Sequence, residues 1–412
     1  DGQDGDLAQS DVRNPNRVVV EGDRYKYNYD MDATVVSGFA QAQFTYNKVD
    51  FYVSGTASNT SYQRTGLYEN GNFTGSRSFG PSEKLSFTNG GIKAGATYKL
   101  SGRHLIDVNA GYYSVAPGIR NSFSNARQNN DVVIGLESEQ IQSVDASYIF
   151  RSPIVKGRLT GFYTGFQKGT DIGFFFTQNS IAGTEASFVQ EVLTNIERRN
   201  IGAELGIEAQ VLPTLKLKAA ASVGQYTYAN NPNIYYTSDD FEGPQTFGDG
   251  TTAIKDLHVA GGPERAYQLG FEYRDPEFWN FGLTVNYFSN SYLDFSNLAR
   301  TANFNQDIDG QPFNDYDTDV ARDLLRQTEI DDYFLVNIIG GKSWRVGDYF
   351  VGFFATVNNV LDETYITGGF EDSRRANYRS SLEEAQRDTP VFGDRLFFGR
   401  GTTYYVNAYV RF

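Results

Sequence analysis

The chain has 412 residues, including 28 Tyr, 32 Phe, 42 Gly and no Cys. The absence of cysteine excludes disulfides, thiolate metal sites and cysteine nucleophiles. The formal net charge of -14 argues against nucleic acid as a partner, because binding phosphate requires clustered Lys and Arg. The many aromatic residues favour a β-rich protein over a helical cytosolic enzyme.

The sequence has no run of about 18 apolar residues, which excludes membrane-spanning helices. Its mean hydropathy of -0.46 would usually indicate a soluble protein. That inference does not apply to a membrane β-barrel, because its strands alternate lipid-facing and lumen-facing residues and half of each strand can be polar. A membrane β-barrel is therefore compatible with the composition.

Alternation of apolar and polar residues with a period of two recurs along the chain and predicts strands. It is clearest in residues 92–99, 201–211, 215–224, 267–273 and 281–287. In residues 201–211, for example, Leu205 and Ile207 fall on one face, and Glu204 and Glu208 fall on the other. Such segments predict about 13 strands in all.

The connections between these strands alternate in length. Short turns are predicted near Asn47 and in residues 101–103, 152–156, 212–214, 275–280 and 345–348. Long polar segments occupy residues 61–85, 114–138, 168–193, 231–261, 291–330 and 361–397. Outer-membrane barrels have short periplasmic turns and long extracellular loops. The pattern therefore predicts an all-β, transmembrane antiparallel β-barrel.

The end of the chain predicts how the strands are oriented. Tyr404, Val406, Ala408, Val410 and Phe412 form one face of a last strand, which resembles the C-terminal signature that barrel-assembly machinery recognises. If this strand ends in the periplasm, about 13 strands place the N-terminus outside. Residues 1–32 are then an extracellular segment, and residues 33–412 are the C-terminal part of an incomplete barrel whose first strands lie elsewhere.

Four segments resemble strand motifs of TonB-dependent receptors. They are Gly38–Phe44, Asn195–Glu208, Asn358–Asp362 and Phe398–Tyr405. Their details look most like Bacteroidota receptors with a carboxypeptidase-regulatory-like N-terminal extension. The resemblance implies a barrel of roughly 22 strands with a plug domain and a TonB box. The first strands of that barrel, the plug and the TonB box would then be missing from this chain.

The resemblance also implies a location in the outer membrane of a Gram-negative cell, where lipid and lipopolysaccharide surround the barrel. It implies no enzymatic activity, and import of a scarce nutrient driven by TonB through the missing plug. Two other functions stay open, namely a passive outer-membrane pore and a structural or secretion-associated surface platform that binds proteins.

Charged residues on the polar strand faces are predicted to face the lumen, because they would be costly in lipid. These plug or channel contacts are Lys93, Asp107, Glu204, Glu208, Lys216, Glu272 and Arg411. No catalytic site is predicted, and His104 and His258 lie too far apart in the pattern to suggest a joint role.

Two loops are candidate binding sites. Asp307, Asp309, Asp315 and Asp317 have the carboxylate density that suits Ca²⁺, although a solvated acidic loop is the simpler interpretation. The charged segment from Glu371 to Arg395 could grip a substrate or a surface lipoprotein, with a hydrated loop as the alternative.

Overall fold

Within the described residues, thirteen long strands form one antiparallel sheet in which each strand pairs with its neighbours along the chain. The computed structural model describes residues 5–412. The strands are β1 (Tyr29–Thr45), β2 (Val49–Gly66), β3 (Leu85–Lys99), β4 (His104–Val115), β5 (Glu139–Arg151), β6 (Val155–Ile181), β7 (Thr184–Leu212), β8 (Leu215–Tyr228), β9 (Arg265–Arg274), β10 (Trp279–Ser289), β11 (Tyr333–Val346), β12 (Tyr349–Asn358) and β13 (Thr403–Arg411). This up-and-down order confirms the predicted all-β barrel fold.

The sheet is open between its first and last strands. Within residues 5–412, β1 pairs only with β2 among the long strands, and β13 pairs only with β12. Each open edge presents a row of unpaired backbone groups, which is costly in lipid because no water is available to bond them. The predicted incomplete barrel of about 13 strands is therefore confirmed.

The two faces of the sheet differ in polarity. Phe271, Leu283 and Ile338 lie side by side on β9, β10 and β11. On the opposite face, the Gln268 amide donates a 2.8 Å hydrogen bond to Asn286 Oδ1. A cavity of about 720 Å³ lies on this polar face and is lined from β4 to β10. By the outer-membrane rule the polar face is the lumen side, which is the concave side of a barrel wall, and the apolar face points outward to lipid.

Short turns join the strands at one end of the sheet, and long connections join them at the other. The short turns are residues 46–48, 100–103, 152–154, 213–214, 275–278 and 347–348. The long connections are residues 67–84, 116–138, 229–264, 290–332 and 359–402. By the outer-membrane rule, the long connections mark the extracellular end.

The prediction of a long loop over residues 168–193 is wrong. β6 and β7 instead continue as one hairpin that closes at Ala182 and Gly183, where Ile181 pairs with Thr184. Gly183 has φ +80°, a conformation that glycine adopts without steric cost. The many polar residues of this segment resemble those of a loop, but the structure buries its apolar residues Ile181, Val189, Val192 and Leu193. Register shifts around Gly169 bend the hairpin.

The long connections contain short elements of their own. The short strands are Gly80–Pro81, Asn233–Thr237, Ser291–Tyr292, Glu329–Ile330, Ile366–Phe370 and Arg395–Phe398. The α-helices are α1 (Thr318–Leu324) and α2 (Tyr378–Ala385). The 3-10 turns are Gly5–Ala8, Gly75–Arg77, Ile119–Asn121, Leu298–Arg300, Ala302–Asn305 and Ser373–Arg375. None of the helices in residues 5–412 is long and apolar enough to cross a membrane.

The segment before β1 packs against the first long connection. The Val12 backbone N–H donates a 2.9 Å hydrogen bond to the Glu69 carbonyl, and the Gly71 N–H donates to the Gln9 carbonyl at 3.0 Å. β1 begins at Tyr29, somewhat before the predicted boundary at residue 33. Residues 1–4 lie outside the described residues, and the extracellular position of residues 1–32 stays a prediction.

Candidate functional site

A hydrophobic core joins several long connections at the extracellular end. Its buried members are Ile181, Val189, Leu193, Ile196, Ile234, Tyr236, Phe247, Leu298, Ala299, Phe304, Phe313, Ala321, Ala376 and Tyr378. They come from residues 168–197 of the β6–β7 hairpin and from connections 229–264, 290–332 and 359–402. We call these four segments the loop cap. Because apolar burial is the main stabilising term in folding, the loop cap is one folded body.

The last connection reaches the tip of the β6–β7 hairpin, although β8 to β11 separate them in the sheet. Ser180 Oγ donates a 2.9 Å hydrogen bond to the Arg374 carbonyl, and Asn377 Nδ2 donates to the Asn179 carbonyl at 2.8 Å. The Arg374 guanidinium also lies 4.8 Å from the centre of the Phe176 ring. The thirteen-stranded sheet forms the wall of the barrel. Because this wall is curved, connections from such distant strands meet most directly across its concave side. The loop cap therefore leans over the mouth of the lumen.

Glu191 is a buried carboxylate in the middle of the loop cap, where it is 6% exposed. The Tyr236 hydroxyl donates a 3.1 Å hydrogen bond to its Oε2, and Asn297 Nδ2 donates a 2.7 Å bond to its Oε1. These partners belong to the short strand Asn233–Thr237 and to connection 290–332. One carboxyl thus joins three segments of the loop cap.

Glu191 lies beyond the membrane-spanning part of β7. A spanning strand needs about 9–11 residues, and β7 extends much further from its periplasmic end at Leu212. Burial is the main cause that raises the pKa of the Glu191 carboxyl to about 7. The negative charges of Asp294 and Asp171 act in the same direction, and the two hydrogen bonds oppose them. This carboxyl is therefore set to change charge near neutral pH.

A buried ion pair joins connection 290–332 to connection 359–402. Arg300 Nη1 lies 2.6 Å from Glu371 Oε2, and Nη2 lies 2.9 Å from Oε1. The two side chains are only 3% and 18% exposed. Arg300 also donates hydrogen bonds to the carbonyls of Ser296 and Leu325. This two-pronged geometry is the strong form of an arginine–carboxylate contact.

A second buried arginine joins the connections outside the loop cap. Arg64 on β2 is 2% exposed and lies 5.0 Å from the centre of the Tyr29 ring. Its guanidinium donates hydrogen bonds to the carbonyls of Ala126 (2.8 Å) and Ser78 (3.0 Å) and to Asn130 Oδ1 (2.5 Å). Arg64 therefore attaches connections 67–84 and 116–138 to the wall.

Replacing Arg64 by methionine is expected to lower the free energy that keeps these two connections docked by roughly 1–3 kcal/mol, because buried acceptors lose their hydrogen-bond donor. Hydrogen exchange of residues 116–138 in the full-length protein measures the effect. The exposed Arg120 lies in the same connection, and the matched variant Arg120→Met should leave exchange unchanged. Equal exchange in the two variants would contradict the role given to Arg64.

The register places the charged residues predicted to face the lumen on the concave face. They are Lys93, Asp107, Glu204, Glu208, Lys216, Glu272 and Arg411. Several pair there: Lys216 Nζ lies 3.0 Å from Glu208 Oε1, and Lys218 pairs with Glu272. The Thr97 hydroxyl donates a 2.6 Å hydrogen bond to Asp107. Their contact with a plug stays a prediction.

The last strand has the orientation that the sequence pattern suggests. Val406 lies opposite Ala355 and Val410 opposite Val351. The Tyr409 hydroxyl lies 2.6 Å from the Ser343 hydroxyl on the concave face, so alternation places Asn407 and Arg411 on that face too. The members of the predicted assembly signature, Tyr404, Val406, Ala408, Val410 and Phe412, therefore share the outward face. Recognition by assembly machinery stays a prediction.

The four aspartates of the predicted calcium site, Asp307, Asp309, Asp315 and Asp317, do not form one cluster. Asp315 accepts two hydrogen bonds from Arg379, at 3.0 and 2.9 Å. Asp317 caps the first turn of α1, and Asp307 accepts a 3.0 Å bond from the Asp309 backbone N–H. Across residues 5–412, no group of three or more His, Cys, Asp or Glu is placed to hold a metal ion. These carboxylates stabilise turns and a helix end, and calcium binding stays a prediction.

The charged segment from Glu371 to Arg395 forms ion pairs within the extracellular connections. Arg395 pairs with Asp372 at 3.3 Å, and Arg387 pairs with Glu384 at 3.3 Å. Glu371 is held by Arg300 in the buried pair described above. These charges therefore stabilise the fold of the loop cap, and the grip on a substrate or surface lipoprotein stays a prediction.

The two histidines lie in different parts of the protein. His104 Nδ1 lies 2.5 Å from the Tyr148 hydroxyl on the wall. His258 Nδ1 lies 2.9 Å from Glu264 Oε1 within the loop cap. They do not form a joint site.

The sequence analysis did not single out Glu191, Arg64 or Arg300. The sequence carries a signal for Glu191, since in a strand it shares one face with Val189 and Leu193, which the structure buries. A lone carboxylate on an apolar strand face has to be neutral or hydrogen-bonded. That signal appears only when residues 184–197 are interpreted as a strand.

Solved structures of three transport proteins are similar to this chain. The copper transporter OprC has 13% identity and a TM-score of 0.60, with 92% of this chain and 48% of that chain covered. The ferric citrate transporter FecA, in its unliganded form, has 11% identity and a TM-score of 0.58, with 96% and 48% covered. The siderophore receptor PiuA from Acinetobacter baumannii has 14% identity and a TM-score of 0.55, with 92% and 44% covered. At these identities the likeness shows the fold alone.

This chain spans about half the length of those structures. No curated protein matches it. The family model described as "TonB dependent receptor-like, beta-barrel" matches residues 2–360, which is most of the chain. The chain therefore belongs to the TonB-dependent receptor-like β-barrel family.

Proposed function

We propose that this chain is the C-terminal barrel part of an outer-membrane receptor that imports a scarce extracellular nutrient by TonB-dependent active transport. The family match over residues 2–360 carries the proposal. The family belongs to the outer membrane of Gram-negative bacteria. The first strands, the plug and the TonB box would come from segments outside this chain.

The geometry supports an importer in two ways. The concave face carries paired charges such as Lys216 with Glu208, which suit contact with a polar plug. The loop cap has its own core and leans over the mouth, so it can enclose a solute before passage. A passive pore gains nothing from a folded body over its entrance. The geometry therefore favours an importer over a passive pore.

Some details of the proposal rest on motif resemblance alone. The Bacteroidota-like subgroup, the carboxypeptidase-regulatory-like extension and a surface lipoprotein partner belong here. If a lipoprotein docks on the receptor, the segment from Glu371 to Arg395 is its expected contact, because it exposes charged side chains such as Glu383, Arg387 and Asp388.

The test is uptake by cells that carry or lack the full-length gene. Labelled ferric citrate, a ferric siderophore and copper come first in the panel, because the structurally similar proteins are named for such cargo. Glycans, peptides and cobalamin follow. We expect one solute to accumulate against its gradient, and accumulation to be lost without the gene or without TonB.

The competing functions give different results. Uptake that continues without TonB would indicate a passive pore. Loss of surface proteins, with all solute uptake unchanged, would indicate a structural platform. Either result would overturn the proposed function.

A further inference from the structure

We propose that the loop cap is a pH-responsive lock, in which protonated Glu191 holds the β6–β7 hairpin, the strand Asn233–Thr237 and connection 290–332 together, and ionised Glu191 loosens them. The lock would control access to the mouth of the proposed importer, so its biological role rests on the proposed function. Its physical basis is independent of the solute.

Three segments of the chain meet at this carboxyl. Glu191 extends from β7 between Tyr236 and Asn297, which donate its two hydrogen bonds. Val189 and Leu193, its neighbours on the same face, are buried in the core of the loop cap. A charge at this place is bonded only by neutral donors and lies beside buried apolar side chains. Separation of the three segments would return the carboxyl to water.

The charged groups near Glu191 do not neutralise it. Asp171 of β6 and Asp294 of connection 290–332 both contribute like charge. The buried arginine of that connection, Arg300, is bound in a bidentate pair with Glu371 of the last connection. In the described part of the chain, no Lys, Arg or His forms an ion pair with Glu191 or Asp294. Ionisation of Glu191 therefore adds a buried charge beside other carboxylates.

The direction of the pH effect follows from linkage. In the docked cap, burial raises the pKa of Glu191 to about 7 from an ordinary value of 4.5. The docked state thus binds the proton more tightly than the open state. The stabilisation is fully present below pH 4.5, is lost as the pH rises to about 7, and changes no further above it. Burial also raises the pKa of Asp294, which acts in the same direction.

The test is hydrogen exchange of the full-length receptor in detergent at pH 5 and pH 8, corrected for the intrinsic pH dependence of exchange. We expect residues 229–264 and 290–332 to lose protection at pH 8 by on the order of 10- to 100-fold. The variant Glu191→Gln, which is neutral and of the same size, should be protected equally at both pH values. Glu185→Gln, an exposed change on the same strand, should behave as the unaltered protein.

Protection of the unaltered receptor that does not change with pH would overturn the lock, even if the Glu191→Gln variant fails to assemble. If protection still depends on pH in Glu191→Gln, the role given to Glu191 is overturned. Hydrogen exchange does not depend on transport. If the receptor shows the pH-dependent protection but no TonB-dependent uptake, the missing uptake refutes the proposed function and the lock is still supported.

Discussion

Replacing Leu283 by arginine is expected to lower the free energy of unfolding of the complete barrel by roughly 2–4 kcal/mol. Leu283 lies on the outward face of β10, between Phe271 and Ile338 on the adjacent strands. An arginine there would place a guanidinium in hydrocarbon. The cost is greatest at the middle of the membrane and falls toward its interfaces.

The depth of Leu283 follows from the aromatic residues above and below it. Trp279 begins β10 at the periplasmic end, where interfacial aromatic residues are common. Tyr287 lies on the same face toward the extracellular end, 4.6 Å from the Phe334 ring and 6.1 Å from the Tyr267 ring. Leu283 is midway between Trp279 and Tyr287 in the strand. It therefore lies near the centre of the apolar band.

The matched control is Thr284→Arg, one residue along the same strand but on the concave face. It should cost much less, because the lumen side contains water and polar groups. Glu204→Gln on that face should likewise be mild. Guanidinium unfolding of the full-length receptor in lipid vesicles measures all three. Equal losses for Leu283→Arg and Thr284→Arg would contradict the assignment of the two faces.

The strands of the barrel wall could be predicted from the sequence because the patterns that identify them involve residues close together in the chain. Strand alternation identifies the two faces, and a membrane on one side with water on the other makes them chemically opposite. Glu204 and Glu208, for example, had to share the side away from Leu205 and Ile207. The alternation of short turns and long connections then fixed the orientation of the strands. Both features require information only from neighbouring residues.

The loop cap could not be predicted because its contacts are distant in sequence. Ser180 meets Arg374, and Asn377 meets Asn179, through connections whose paths no periodic pattern specifies. Residues 168–193 resemble a loop in sequence for the same reason. The strands of the β6–β7 hairpin extend into water, so polar residues are common in them, and apolar residues such as Val189 and Leu193 are buried only by connections that are distant in sequence. The aspartates of connection 290–332 likewise bond partners that spacing alone does not reveal.

Replacing Glu371 by alanine is expected to destabilise docking of the loop cap by roughly 3–5 kcal/mol, because it leaves Arg300 buried without its carboxylate. The Arg300 side chain is only 3% exposed, so water cannot solvate the guanidinium unless connection 290–332 moves. The thirteen strands below should keep their pairing, since neither residue belongs to the wall. Faster hydrogen exchange of connection 290–332 and unchanged heat-modifiable migration of the full-length receptor would together report this local opening.

Two further variants separate the buried charge from the loss of a side chain. The double variant Arg300→Met with Glu371→Leu should restore much of the protection, because apolar residues of similar volume often replace a buried ion pair without loss. Arg322→Ala removes an exposed pair between Arg322, whose side chain is 72% exposed, and Asp319, whose side chain is 86% exposed, and should change hydrogen exchange little. If connection 290–332 exchanges as fast in the double variant as in Glu371→Ala, packing rather than the unpaired guanidinium limits the docking of the loop cap. If it also exchanges as fast in Arg322→Ala, the buried pair has no special role, and the connection is held by its apolar core alone.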